Sequence, residues 1–112
     1  MATFRAASSA VPYEAPNHFG VRSRRLQGLE ASQTTAYWVG QSDYEPGGGV
    51  HEGPARGETT YVGLSGELTV RVAGVEHVLT PGDSLHLVAG ELRSVTNPGP
   101  GLASILVVIA PS

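Results

Sequence analysis

His51, Glu52, Glu58 and His86 carry the imidazole and carboxylate side chains that most often do chemistry. Brought together, they could form an irregular site for a divalent metal, since Fe, Mn, Ni and Zn accept these ligand types. Apart, His51 or His86 could move a proton, because an imidazole changes charge near neutral pH. The alternative is that all four are loop and surface residues, with His86 a strand histidine whose hydrogen bonds are met. His86 lies between Leu85 and Leu87 and faces away from both. It therefore lines a cavity or meets solvent. Tyr61 offers a hydroxyl that could donate to a developing oxyanion, or else a core aromatic. Trp38 and Tyr37 are adjacent and point to opposite faces, so one is core or pocket wall and the other is exposed or at an interface. His77 sits beside a hairpin turn, where it would be solvated. His18 lies near the N-terminus and has no assigned role.

These side chains need a scaffold, and the composition limits what it can be. The chain has 112 residues, the size of one domain able to bury its own core. It contains no cysteine, so disulfides and thiolate chemistry are excluded. It contains no lysine either, which excludes a lysine Schiff base. The net charge is −3, and the arginines are scattered apart from Arg22, Arg24 and Arg25. No basic stripe suggests a nucleic-acid partner. No apolar run approaches the roughly 18 residues of a membrane span. Residues 1–10 have no apolar segment of the secretory kind, so a cytoplasmic protein is expected.

Apolar periodicity predicts an all-β domain. Fifteen glycines and eight prolines punctuate short β-rich runs at intervals of about 8–12 residues, and no apolar stripe follows the helical period. Strands are predicted over 21–29, 34–39, 59–64, 67–72, 75–79, 85–88, 92–96 and 102–109. The last is apolar enough to be covered on both faces. Residues 41–57 are polar and glycine-rich and read as a long loop, of the length that is usually functional or mobile. Residues 1–20 read as an N-terminal arm, loose or laid along a neighbouring subunit, and 21–112 as a single barrel domain. Asp83 is expected to serve a turn, its carboxylate accepting backbone N–H groups.

The punctuation over 46–97 is more specific. Pro46 is followed by Gly47, Gly48 and Gly49. Later come Glu58, Tyr61, Gly63, Gly66 and Glu67, then Pro81, Gly82, Asp83, Ala89, Gly90 and Asn97. This spacing resembles the two sequence motifs of the cupin superfamily. The resemblance covers roughly residues 30–110 and implies a jelly-roll barrel, also called a double-stranded β-helix. It also implies a homodimer and a small-molecule ligand.

Cupins usually hold a metal with two histidines and a glutamate from the first motif and a histidine from the second. Counting back from Gly66, the glutamate position falls on Thr59, with Glu58 one residue out of register. The first two histidine positions fall near Gly53 and Ala55, or near Glu52 and Pro54. Gly90 and Asn97 place the last histidine at Arg93. A one-residue slip turns a strand side chain to the opposite face, and a guanidinium has no lone pair to give a metal. The expected cofactor is therefore none, with a divalent metal on His51, Glu52, Glu58 and His86 as the alternative.

The resemblance points Arg93 into the barrel. There its planar fork could anchor a carboxylate, or form an internal salt bridge with Glu58 or Glu52. The resulting expectation is a metal-independent isomerase, lyase, decarboxylase or cyclase acting on a small anionic or carbonyl-bearing compound. His51, His86 and Tyr61 would be catalytic, and Arg93, Glu58 and Trp38 would bind substrate. A metal-dependent dioxygenase and a non-catalytic ligand sensor are the alternatives.

Overall fold

The computed structural model describes residues 1–111. Nine strands follow one another: β1 (Val11–Tyr13), β2 (His18–Gln27), β3 (Trp38–Pro54), β4 (Gly57–Ser65), β5 (Leu68–Val72), β6 (Val75–Leu79), β7 (Ser84–Leu87), β8 (Leu92–Thr96) and β9 (Ala103–Pro111). Single 3-10 turns span Ala7–Ser9 and Leu29–Ala31, and there is no α-helix among the described residues. The hydrogen-bonded order is β6-β5-β8-β3-β9-β4-β7, and β2 joins β3 and carries β1. All pairings are antiparallel. The ribbon rolls on itself into a jelly-roll barrel.

β3 makes the roll. Residues 38–44 pair with β9, whereas Gly49, Val50, Gly53 and Pro54 pair with β8. The strand thus leaves one sheet and enters the other. The bend lies at Glu45, Pro46 and the three glycines. A Cβ on Gly48 would lie 2.4 Å from the Gly20 carbonyl oxygen, and one on Gly49 would lie 2.1 Å from that of Val95. Only glycine permits so close a backbone approach. The expected loop over 41–57 is therefore mostly strand, because glycines that look like a loop are what a strand needs where it crosses between sheets. The strand expected over 34–39 starts only at Trp38.

The remaining elements follow from alternation. On β4, Thr59, Tyr61 and Gly63 are buried, while Glu58 and Leu64 are exposed. Leu68 and Val70 point inward from β5. Leu68, Val70, Leu79, Leu87, Val95 and Ile105 fill one part of the interior, each side chain contributing about 1.5–3 kcal/mol by leaving water. β9 runs between β3 and β4; Ile105 and Val107 are buried, but Leu106 and Val108 on its other face are only partly covered, so the expected burial of both faces is incomplete. Asp83 caps its turn as expected, accepting the Thr80 amide at 3.0 Å and the Thr80 hydroxyl at 2.7 Å.

The N-terminal residues lie against the barrel of their own chain. β1 pairs with Ser23, Arg24 and Arg25, and Pro12 is accommodated there because β1 is an edge strand. Arg5 donates to the Ala31 carbonyl from Nε (3.0 Å) and Nη2 (2.9 Å). The boundary drawn at residues 20 and 21 falls inside β2, which begins at His18.

Candidate functional site

A cavity of about 370 Å³ opens at one end of the barrel, within the range of small-molecule sites. Its deep wall comes from β3, β4, β8 and β9, through Trp38, Tyr44, Thr59, Tyr61, Arg93 and Val107. Its rim is the connection from β1 to β2, with Glu14 and Asn17, and the first residue of β2, His18. The charged lining is Arg25, Arg56, Arg93 and Glu14; Arg25 is paired with Glu30 at 2.7 Å, so Arg93 is the cation that favours an anionic occupant.

Arg93 enters from β8, opposite Gly53 of β3. Its Nε donates to the Tyr61 hydroxyl oxygen at 3.1 Å and its Nη1 to the Gly53 carbonyl at 3.0 Å. These bonds fix the guanidinium plane. No hydrogen bond engages its Nη2 among the described residues, so part of the fork remains for a bound acceptor. Tyr61 accepts from Arg93 and keeps its own O–H to donate. Neither Glu52 nor Glu58 pairs with Arg93, so the internal salt bridge does not form.

His18 stands at the start of β2. Its Nδ1 lies 2.8 Å from the Pro16 carbonyl. A carbonyl only accepts, so Nδ1 carries the proton and Nε2 keeps its lone pair. Burial lowers the His18 pKa below the ordinary histidine value, and the nearby Arg93 charge adds to this, against the opposing Pro16 bond. A Cβ placed on Gly53 would lie 3.6 Å from Asn17 Nδ2 and 3.7 Å from Arg93 Nη1. The rim therefore reaches over the arginine.

The other sequence-predicted residues lie elsewhere. His86 Nε2 is 2.8 Å from Glu58 Oε2, and both side chains are exposed on the outer surface. His86 faces solvent because Leu85 and Leu87 turn inward on a strand of period two. Exposed His51 packs its ring against Phe19, with centroids 4.5 Å apart, and Glu52 is exposed as well. None of these four lines the cavity. Tyr61, Arg93 and Trp38 do. Trp38 meets Tyr13 edge to face at 5.6 Å, and the Arg25 guanidinium lies over both rings, at 4.1 Å from Tyr13 and 4.4 Å from Trp38.

Of the positions that the motif spacing suggests for metal ligands, Gly53, Pro54, Ala55, Thr59 and Arg93 line the cavity and Glu52 does not. Gly53 and Ala55 offer no side-chain donor atom, the Thr59 hydroxyl donates to the Gly57 carbonyl at 2.9 Å, and Arg93 is a cation. This set does not fit a dication. His51, Glu52, Glu58 and His86 do not converge, and no group of three or more histidines and acids that could hold a metal occurs among the described residues.

Sequence reasoning missed Glu14, Asn17, His18 and Arg25. Residues 1–20 read only as an arm, with Pro16 and Asn17 inside it. Nothing local says which end of a barrel a turn will cover.

Solved structures with this fold include the polyketide cyclase RemF from Streptomyces resistomycificus. It has a TM-score of 0.85 at 15% identity and covers 98% of this chain and 80% of its own. A predicted oxalate decarboxylase from Thermotoga maritima has a TM-score of 0.81 at 25% identity, over 99% of this chain and 100% of its own. In sequence, the chain is 51% identical over 104 residues to the β-D-galactosidase Rv1717 of Mycobacterium tuberculosis, spanning 93% of this chain and 90% of that protein. The cupin domain model matches residues 40–109, which begin in β3, take in both glycine-punctuated motifs and end in β9. With the barrel and the sequence match in agreement, the chain belongs to the cupin family.

Proposed function

We propose that the cavity is the active site of a metal-independent enzyme of the isomerase or lyase kind. Its substrate is a small compound bearing a carboxylate or carbonyl group. One observation carries this reading: Arg93, Tyr61 and the His18 imidazole line the same cavity. Arg93 holds the substrate oxygen through the part of its fork that protein acceptors leave open. His18 Nε2 takes the proton from the carbon next to the carbonyl. The electron pair of that C–H bond moves into the carbonyl, and the oxygen that gains charge accepts hydrogen bonds from Tyr61 and Arg93. Isomerisation follows when the imidazolium returns the proton to another carbon, and elimination follows when a neighbouring group departs with the electron pair. The base and substrate-binding roles expected of His51, His86 and Glu58 pass to His18, Asn17 and the rim.

The test is proton exchange. Candidate keto acids, hydroxy acids and sugars are incubated with the protein in D2O and followed by NMR. Deuterium should enter next to the carbonyl, and His18→Ala should slow this by about 10²–10⁴-fold. Exchange that is indifferent to both His18 and Arg93 would remove the proposal's basis.

The name of the mycobacterial relative favours glycoside hydrolysis as a second reading. Hydrolysis usually uses a pair of carboxyl groups about 5–9.5 Å apart, and the cavity lining holds one, Glu14. Release of galactose from an aryl β-galactoside, lost in Glu14→Gln, would establish this reading over the first.

A further inference from the structure

One group of cavity side chains plays no part in that chemistry. The Ser23 and Ser42 hydroxyls lie 2.9 Å apart, on β2 and β3. The Tyr13 hydroxyl of β1 lies beside them: burial raises its pKa, and Arg25, Ser23 and Ser42 oppose that rise. Tyr13 and Ser42 line the cavity, while Ser23 is buried beneath them. Burying the Ser23 and Ser42 hydroxyls, with that of Tyr13 half-buried beside them, is costly unless they are paired. Mutual bonding meets part of that need. Each hydroxyl has one donor and two acceptor sites, so the trio keeps acceptor capacity to spare.

This chemistry differs from that of Arg93. A guanidinium only donates, and it suits a carboxylate. A hydroxyl trio both donates and accepts, so it suits an alcohol. An aliphatic acid would leave the trio facing methylene groups, and a neutral sugar would leave Arg93 without an anion. The apolar wall of Trp38, Val107 and Ile109 matches the C–H face of a hydroxylated ring or chain. The cavity volume of about 370 Å³ accommodates one such unit.

We infer that the ligand is a hydroxylated carboxylic acid the size of a single sugar unit, its carboxylate on Arg93 and a hydroxyl on Tyr13 and Ser42. This inference rests on the proposed role of Arg93 and adds the hydroxyl subsite to it.

The experiment is isothermal titration of the full 112-residue chain with three sets of probes. D-galacturonate, D-glucuronate and D-gluconate carry both groups, D-galactose lacks the carboxylate, and hexanoate lacks the hydroxyls. At least one sugar acid should bind ten or more times tighter than galactose and hexanoate. Ser42→Ala and Tyr13→Phe should bring that affinity down to the level of hexanoate and leave hexanoate unchanged. Melting curves of both variants check that they fold, and Tyr13→Phe keeps the ring packed on Trp38. If sugar acids bind no tighter than hexanoate, and both depend on Arg93, the hydroxyl subsite is overturned while the anion anchor stands. If Arg93→Met leaves sugar-acid binding unchanged, or no probe binds, both fall.

Discussion

At residue scale the decisive side chain is Arg93, which lines the cavity at the position where the motif spacing would put a histidine. An imidazole gives a lone pair to a cation, whereas a guanidinium gives hydrogen bonds to an anion, so the two side chains suit occupants of opposite charge. The consequences of Arg93 extend to His18. Burial, with the cation nearby, keeps that imidazole neutral, which is the form a base requires. The sign follows directly. A lowered pKa means that the basic form persists to lower pH than in an ordinary histidine. If His18 is the base, kcat/KM should stay level through neutral pH and fall only below the ordinary histidine value of about 6.5. A pH–rate profile checks this, and His18→Ala should abolish the acid limb. A limb at or above the ordinary value would assign the titration to another group. Arg93 was legible in the sequence because Gly90 and Asn97 fix its register from either side. His18 was not, since its role depends on a partner brought across the barrel mouth from 75 positions away in sequence.

At the scale of elements, strand alternation made β4 to β9 readable, and polar crossings hid β3. Asn97 shows how such a crossing is held. Its Nδ2 donates to the carbonyls of Tyr44 and Gly101, both at 2.9 Å, and its Oδ1 accepts the Gly99 amide at 3.1 Å. The bend of β3 is thereby tied to the turn between β8 and β9. Sequence reading took Asn97 as a turn residue and could not see the bond to Tyr44, more than 50 positions away. Asp43 makes a second tie. It accepts from Arg24 of β2 at 2.7 Å, from Ser104 of β9 at 2.7 Å and from Gln41 at 3.2 Å. Burial alone would raise its pKa, but the bonds from Arg24, Ser104 and Gln41 outweigh this and hold it below the ordinary aspartate value. A depressed carboxyl stabilises the fold above its unfolded pKa of about 3.9, and that contribution is lost as pH falls through the lower folded value. Asp43→Asn should therefore cost about 1–3 kcal/mol near neutral pH. Its deficit should shrink as pH drops below about 4. Thermal melts of both proteins between about pH 3 and 7 measure the gap, and a gap that stays constant across the range would contradict the assignment.

At the scale of the whole molecule, the fold and the candidate site are built from different parts of the chain. The apolar cluster that closes the barrel runs from Tyr44 to Val107, and among its packed neighbours the earliest is Val21. The cavity, by contrast, takes Tyr13, Glu14, Asn17 and His18 from the N-terminal stretch. That stretch is attached by three residue pairs between β1 and β2, the bonds of Arg5 to Ala31, those of Gln27 to the Thr3 carbonyl and of the His51 amide to the Asn17 carbonyl, and the Tyr13 contacts with Trp38 and Arg25. Such a sparsely packed edge can be lost without global unfolding. Removing residues 1–17 should therefore leave a barrel that melts cooperatively at a lower temperature, its β-sheet circular dichroism retained. The same truncation strips the rim and the Tyr13 hydroxyl, so affinity for any ligand that the intact cavity binds should fall at least tenfold. Titration and melting on one sample separate the two effects. A truncated chain that binds as tightly as the whole would place the ligand outside this cavity, and one that fails to fold would make the N-terminal stretch part of the core.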